Sequence, residues 1–390
     1  IFWSAISSHI HGEGEYVNIQ YGYELLSKVK VNGAKLITGG LQATASPNII
    51  LQNYPNIDYL ISGESEFVLL EIMNNIDNND KLEKIDGLSF IKNNKFTKNK
   101  PQKIISNLDQ IPPYNYDLFE KQTFLRAYNG KVLNSLDYEM SRGCIYTCSY
   151  CVETVIQNYY DFKDTTNRGA LSNHKLYLRS KSPERIYNEL SALKAKFKID
   201  LVRCQDTNFL TINKKVLKGL ESLLINKPLN LKFYIETRPE GINEITVKLL
   251  KNLGVDGVGM GIELSGQEFR ENNLNRFADQ KKIINAFQIL KDYDIKRTSY
   301  NIIGLPNQDE ESVINTIDFN KLLKPDNITV AFYSPYLGTN EQIKSTKLNY
   351  FENYEEKVDG QLRSLSKNSL LSIEKLNFYK KNFNDLVLNG

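Results

Sequence analysis

Apolar positions along the chain follow two alternating rhythms. Short apolar runs of roughly four to eight residues read as strands, and between them apolar residues return every three or four positions, as on one face of a helix. In the first ninety or so residues an apolar run from Ile1 to Ile6 precedes a helix-like stretch from Tyr21 to Val29. Ala34–Thr38 reads as a strand that runs into Gly39 and Gly40, Pro47 opens another helix, and Ile57–Ile61 is a strand ending at Gly63. Alternation at this pitch predicts a parallel, doubly wound, Rossmann-like sheet. Residues 93 to 115 are rich in Asn and Lys and end in the Pro112-Pro113 pair, a composition that predicts a linker or surface excursion.

From Leu136 the alternation resumes at a longer pitch. A strand over Leu136–Met140 leads into clustered cysteines and then an irregular polar stretch, Asn158–Asn173. Ser182 caps a helix with Pro183 in its first position and Ile186, Leu190, Leu193 and Phe197 on one face. Further strands are predicted over Ile199–Cys204, Leu231–Glu236, Val255–Ile262, Arg297–Ile303 and Ile328–Tyr333, each separated from the next by a helical segment. Helical crossovers are what successive parallel strands require. An eight-unit barrel typically needs about 250 residues, so six units fit the available length better. The expected fold is therefore α/β: a Rossmann-like domain over 1–92, lacking its first βα unit, a linker over 93–135, a partial (β/α)6 TIM-like barrel over 136–340, and a helical C-terminal extension over 341–390.

Composition narrows the function. The 390 residues carry 49 Lys plus Arg against 46 Asp plus Glu, a net charge of +3 that gives no reason to invoke nucleic acid or a membrane surface. No apolar run approaches the ~18 residues of a membrane span. The first residue is Ile1, already inside an apolar run, so a trimmed or partial chain is expected. Of four cysteines, Cys144, Cys148 and Cys151 lie together and Cys204 stands alone. Clustered thiols without a secretory signal read as metal ligands or redox groups in a reducing, cytoplasmic compartment.

The cluster reads Ser141-Arg142-Gly143-Cys144-Ile145-Tyr146-Thr147-Cys148-Ser149-Tyr150-Cys151. Three thiolates in one loop can each hold one iron of a [4Fe–4S] cube. Such cubes normally have four cysteine ligands, so a set of three leaves one iron open to a substrate or cofactor. The competing reading is a structural zinc site closed by Cys204. Against it stand the three-then-two spacing and the absence of a second paired arm. Cys204 reads more naturally as a small buried apolar residue.

This C-x3-C-x-φ-C segment, with Tyr150 before the last cysteine, resembles the signature of the radical S-adenosylmethionine superfamily. The resemblance implies that Cys144, Cys148 and Cys151 hold the cluster, that Tyr150 lies near the adenine, and that S-adenosylmethionine is cleaved reductively to a 5′-deoxyadenosyl radical. Val258-Gly259-Met260-Gly261-Ile262-Glu263 is similar to the family's "GIES" stretch and makes Glu263 the ribose contact. Gly304-Leu305-Pro306 resembles the "GLP" turn, whose Gly304 and Pro306 border the adenine. Tyr336-Leu337-Gly338-Thr339, with Pro335 before it, resembles "PxxGT", and Gln205-Asp206-Thr207-Asn208-Phe209 the "DxxF" element. Arg238, at the end of a strand, either clamps a carboxylate bidentately or joins a surface ion pair.

Upstream, Thr38-Gly39-Gly40-Leu41-Gln42-Ala43-Thr44 and Ser62-Gly63-Glu64-Ser65-Glu66 resemble the later part of the cobalamin-binding domain of one radical S-adenosylmethionine subgroup. There Gly39 and Gly40 would admit the corrinoid's nucleotide tail. The cobalt-ligating D-x-H-x-x-G loop of that subgroup is not found, since Ser7-Ser8-His9-Ile10-His11-Gly12 lacks the Asp. Either the first unit lies upstream, or cobalamin binds without a protein ligand, or it is not bound. His9, His11 and His174 read as ordinary loop residues. The resemblance implies methylation, cyclisation or rearrangement of a small-molecule substrate, with electrons from a low-potential donor such as flavodoxin or ferredoxin. The alternatives are a cobalamin-independent enzyme of the same superfamily and a non-catalytic, zinc-stabilised binding module. tRNA methylthiolation is disfavoured by the lack of any cysteine before Cys144.

Overall fold

The computed structural model describes residues 1–5, 16–29, 33–333, 336–347 and 370–389. Two large sheets and one two-stranded sheet organise them. The first contains β1 (Phe2–Ala5), β2 (Ile37–Gly40), β3 (Tyr59–Ile61), β4 (Leu88–Lys92) and β5 (Lys95–Lys98), in that order. β1, β2 and β3 are parallel, and β4 and β5 add antiparallel at the edge. Both faces are covered. Leu60 packs with Tyr23, Leu26, Ile50 and Leu51 of the helices Tyr16–Lys28 and Pro47–Asn53. Ile61 and Ile37 pack on the other side with Val68 and Ile72 of the helix Glu66–Asn74.

The second sheet opens with the hairpin of β6 (Leu125–Tyr128) and β7 (Lys131–Tyr138); the two-residue strands β8 (Ser141–Arg142) and β9 (Arg179–Ser180) pair only with each other as a separate small sheet, after which the second sheet resumes. It continues through β10 (Leu201–Cys204), β11 (Lys232–Thr237), β12 (Val255–Glu263), β13 (Lys296–Ile303) and β14 (Asn327–Phe332). β7 and β10 to β14 are six neighbouring parallel strands, and β6 closes one edge antiparallel. The helices lie on the outer face, where Val202, Val258, Met260 and Ile262 join Ile186, Leu217, Val247, Ile283 and Phe287 in one core. Local chemistry sets the helix ends: Ser182 accepts the amide of Arg185 at 3.3 Å, and Gly254 terminates the helix Glu244–Leu253 with φ +89°.

The stretch 93–135, expected as a linker, instead holds β5, β6 and the first part of β7. Its turns are built from residues that tolerate positive φ. Asn93 and Asn94 have φ 51° and 59°, and Asn129 and Gly130 have 48° and 75°, the paired positive values of a two-residue hairpin turn whose twist suits the flanking strands. The C-terminal extension is helical over Asn340–Lys347 and Ile373–Leu388. The latter covers the edge strand β14, with Tyr379, Phe383 and Val387 against Val330, Ile303 and Ile317. Covering an exposed strand edge in this way blocks pairing with other chains. No described helix is long and apolar enough to cross a membrane.

Candidate functional site

Side chains alternate across a strand, so each lumen-facing position is flanked by outward ones. On β10, Leu201 and Arg203 line the lumen while Val202 and Cys204 enter the core behind it. On β12 the lumen positions are Gly259 and Gly261. A cavity of about 840 Å³ runs from the cysteine loop at the carboxyl ends of these strands through the lumen to β14 and the last helix. Cys144, Cys148 and Cys151 all line it, and Cys204 does not. Among the described residues no three or more His, Cys, Asp or Glu side chains are gathered around one point as a single-ion shell. Cys204 lies apart from the other three, in the core behind the barrel wall.

The cysteine loop is held from several sides. Gly143 has φ +95°, and a Cβ there would stand 2.6 Å from the Tyr177 carbonyl oxygen, so only glycine fits. The Cys144 amide donates to Glu153 Oε1 at 3.0 Å, and Gln157 Nε2 donates to the carbonyls of Cys144 (2.8 Å) and Tyr146 (3.0 Å). Asn275 Nδ2 donates to the Thr147 carbonyl at 2.8 Å, and the Ser149 amide to that of Leu274 at 3.0 Å. The loop also meets the start of the helix Asn340–Lys347, where Ser149 Oγ donates to Glu341 Oε2 at 3.2 Å.

Two buried arginines flank one thiol. Arg238 Nη1 lies 3.7 Å and Arg276 Nη1 4.0 Å from Cys148 Sγ. The Arg238 guanidinium stacks over the Tyr146 ring at 3.7 Å and pairs with Glu240, so it is not in a surface ion pair. Burial pushes the Cys144 thiol up to about 12 and raises Cys151 as well. Bare thiolates are unfavourable here, and a polycationic group bound between them would supply the missing counter-charge. Three lumen-facing thiols, a rigid loop and two guanidiniums are a donor set that fits an iron–sulfur cluster.

The other expected site residues divide into two groups. Tyr150 and Glu263 come together: the Tyr150 hydroxyl donates to Glu263 Oε1 at 2.9 Å, and Arg276 lies 3.6 Å from the same oxygen. Glu263 has φ +65°, an uncommon conformation for a non-glycine residue, at the point where the β12–β13 register shifts. Gly304, with φ +80°, and Pro306 form the turn after β13 and do not line the cavity; the Gly304 amide donates to Gln308 Oε1 at 2.7 Å. Gly39 and Gly40 lie at the carboxyl end of β2, where Gly40 has φ 106° and ψ −169°. That end of the first sheet abuts the cysteine loop's own helix, with the Glu64 amide donating to the Tyr160 hydroxyl at 2.7 Å. His9, His11 and Pro335 lie outside the described residues. His174 begins a short helix, Nδ1 3.4 Å from the Leu171 carbonyl.

Asp206 of the "DxxF" element is buried and accepts the Ser141 hydroxyl, tying β10 to β8 below the cysteine loop. Sequence reasoning missed Glu153, Gln157, Glu240, Asn275 and Arg276. Only Glu153, two residues after Cys151, carried a local signal.

Residues 138–319 match the model of the Radical SAM superfamily. Among individual proteins, the chain is 27% identical over 304 residues to an uncharacterised methyltransferase of Pyrococcus horikoshii, covering 78% of this chain and 61% of that one. It is 23% identical over 306 residues to the anaerobic magnesium-protoporphyrin IX monomethyl ester cyclase of Rubrivivax gelatinosus, covering 77% and 51%. The chain thus spans about half to three-fifths of the length of these relatives. In fold it is similar to the radical S-adenosylmethionine methyltransferase TsrM from Kitasatospora setae, solved with cobalamin and a [4Fe–4S] cluster. The TM-score is 0.67 at 16% identity, covering 89% of this chain and 64% of TsrM. It is also similar to the cobalamin-dependent enzyme OxsB, with TM-score 0.58 and 14% identity, covering 95% and 50%.

Proposed function

We propose that the chain is a radical S-adenosylmethionine enzyme in which Cys144, Cys148 and Cys151 hold a [4Fe–4S] cluster and the lumen beneath takes S-adenosylmethionine and a small-molecule substrate. The observation that carries this reading is the division of the cysteines, three at the lumen mouth and Cys204 behind the barrel wall. When bound, cluster and S-adenosylmethionine together supply one-electron reductive cleavage of a sulfonium.

The chain's own residues hold, orient and exclude water. Glu263 presents a carboxylate oriented by Tyr150 and Arg276, suited to accepting hydrogen bonds from ribose hydroxyls. Arg238 and Arg276 offset thiolate charge at Cys148. Tyr128, Tyr146, Tyr150, Tyr234 and Tyr300 line the lumen, and a substrate filling it would displace water from the reacting centre. Gly304 and Pro306, though outside the cavity lining, shape the turn on which Leu305 packs in the same small cluster as Tyr150.

Methyl transfer or cyclisation is the reaction class we favour, because the relatives are a methyltransferase and a cyclase. Cobalamin is proposed as a second cofactor. Gly40 adopts a backbone conformation confined to glycine at the strand ends nearest the cysteine loop, which lets a ligand approach the main chain. A low-potential flavodoxin or ferredoxin in a reducing, cytoplasmic setting completes the proposal, with no nucleic acid involved.

Anaerobic reconstitution with iron, sulfide, dithionite and S-adenosylmethionine tests it. The expected results are a broad absorption near ~400 nm, loss of that band in Cys148→Ala, and release of 5′-deoxyadenosine or S-adenosylhomocysteine. The first product marks radical cleavage and the second methyl transfer. An iron-free chain holding stoichiometric zinc refutes the proposal.

A further inference from the structure

Two carboxylates line the cavity, and the chain treats them differently. Glu263 lies 3.6 Å from Arg276. Glu236, on β11 two residues before Arg238, makes no ion pair within 4 Å among the described residues. Its Oε1 accepts the Tyr300 hydroxyl at 2.9 Å, and that hydroxyl meets the hydroxyl of Tyr234 at 2.8 Å.

β12 is cut away to admit these phenols. A Cβ on Gly259 would stand 2.5 Å from Tyr300 Oη and 2.8 Å from Tyr234 Oη. One on Gly257 would stand 2.5 Å from Tyr128 Oη. The rings of Tyr128 and Tyr234 meet edge to face at 6.1 Å. Glu236 thus faces the lumen in a collar of tyrosines. Burial raises its carboxyl above the ordinary range, against the lowering effects of the Tyr300 phenol and of Arg203.

A carboxylate withdrawn from water is unfavourable until a cation meets it. Glu263 and Glu240 each have a guanidinium within 4 Å, whereas among the described residues Glu236 has a phenol in direct contact and only the Arg203 guanidinium acting on it from beyond ion-pair distance. Phenol oxygens accept N–H groups and aromatic faces attract cations, so the collar favours a protonated nitrogen over an anion. We propose that Glu236, with Tyr234 and Tyr300, anchors a protonated amine of the substrate. This inference rests on the reading of the lumen as the active cavity, and it names the substrate class: a molecule with a basic nitrogen on an apolar or aromatic body. Two residues along a strand are about 6–7 Å, so the amine sits that far below the level of Arg238. The reacting carbon is then left between the anchor and the thiols.

Phenethylamine and phenylpropionate share a ring and differ in charge, and they serve as probes of the cluster-loaded chain by saturation-transfer NMR and equilibrium dialysis. Phenethylamine is expected to bind at millimolar concentration and phenylpropionate not to. Glu236→Gln, close in shape, should weaken phenethylamine by about tenfold or more while leaving iron content and far-UV circular dichroism unchanged. Tyr300→Phe should weaken it less. Equal binding of the two probes, no binding of phenethylamine, or unchanged affinity in Glu236→Gln would each overturn the anchor. The two proposals fail separately: an iron-loaded chain that releases 5′-deoxyadenosine but ignores phenethylamine refutes the anchor alone. A chain that binds the amine through Glu236 but holds no cluster refutes the iron–sulfur reading alone.

Discussion

Glu64, just after β3, joins the first sheet to the β8–β9 pair beside the cysteine loop, and removing its carboxylate tests whether the two act as one unit. Its Oε1 accepts Arg142 Nη1 at 3.2 Å and Arg179 Nη1 at 2.7 Å, and its Oε2 accepts the Ile105 amide at 2.8 Å. The Glu64, Arg142 and Arg179 side chains are only 11%, 14% and 6% exposed. In Glu64→Ala, Arg142 keeps Glu66 at 2.6 Å and Glu139 at 3.0 Å. Arg179 keeps only carbonyl acceptors, from Tyr177 at 3.0 Å and Ile105 at 2.9 Å. The loss therefore falls on one buried guanidinium left without a carboxylate, about 3–5 kcal/mol. The orphaned Ile105 amide contributes within that range rather than on top of it, since water entering the gap reaches both groups.

Trp3 is the only tryptophan and packs on Tyr23 beside the first sheet, with ring centroids 4.7 Å apart. Its fluorescence therefore reports that sheet, while circular dichroism reports both. Urea titration of the parent should give coincident transitions by the two probes. In Glu64→Ala the fluorescence transition should move to lower urea and separate from the other. Iron uptake should also slow, because Arg179 supports the Tyr177 carbonyl and the Tyr177 hydroxyl donates to Glu153 at 2.7 Å, which in turn holds the Cys144 amide. Coincident transitions with a loss below about 1 kcal/mol would refute the claim that this carboxylate couples the first sheet to the β8–β9 pair.

Three shorter predictions follow from the same geometry. Cys204→Ala should leave iron content unchanged and cost only about 1–2 kcal/mol from the small gap it opens in the core; loss of iron would put Cys204 among the ligands. Gly40→Ala should cost about 1–3 kcal/mol, because φ 106° with ψ −169° is open to glycine alone, and fluorescence-monitored unfolding by urea measures it. Burial raises the Asp206 carboxyl from 3.8 to about 7. Between those values the folded state holds a proton that the unfolded state has released, so stability should fall as pH rises from about 4 to 7, by up to about 1.4 kcal/mol per unit, and level off above. Asp206→Asn should flatten that slope in stability measured across the range, and an equally steep fall in the variant would sink the assignment.

What the sequence made legible, and what it hid, follows from the range of the interactions involved. Six lumen strands and their crossover helices were readable because each is specified within its own segment: Ile199–Cys204 and Val255–Ile262 were anticipated within two residues of β10 and β12. The β6–β7 hairpin was equally local, since Asn129-Gly130 is among the strongest two-residue turn signals. It was lost because a linker reading that rested on the composition of residues 93–115 was extended to 135. The site behaves differently. Cys144, Cys148 and Cys151 announce themselves by spacing, and the Gly-rich β12 by its ending in Glu263. Arg276 carries no such mark, because the thiol it meets comes from another element and lies 128 positions away in the chain, whereas Glu240 sits only two residues from its partner Arg238 and was passed over as an ordinary acidic residue. Glu236 shows the limit most clearly. In the sequence it is one acidic residue at the end of a strand, beside the more conspicuous Arg238. Its character depends on Tyr300 from β13 and on the missing side chain of Gly259 from β12. In the folded lumen the atoms that use the space left by Gly259 are the chain's own phenols. The glycines of β12 therefore have two roles along one strand: Gly261 leaves room beside Glu263 and Arg276 near the thiols, and Gly257 and Gly259 admit the tyrosine collar beneath. That division places the cluster-proximal chemistry and the substrate-selective chemistry on successive levels of the same lumen. The levels can be altered separately, with Glu263 and Arg276 addressing the upper one and Glu236, Tyr234 and Tyr300 the lower.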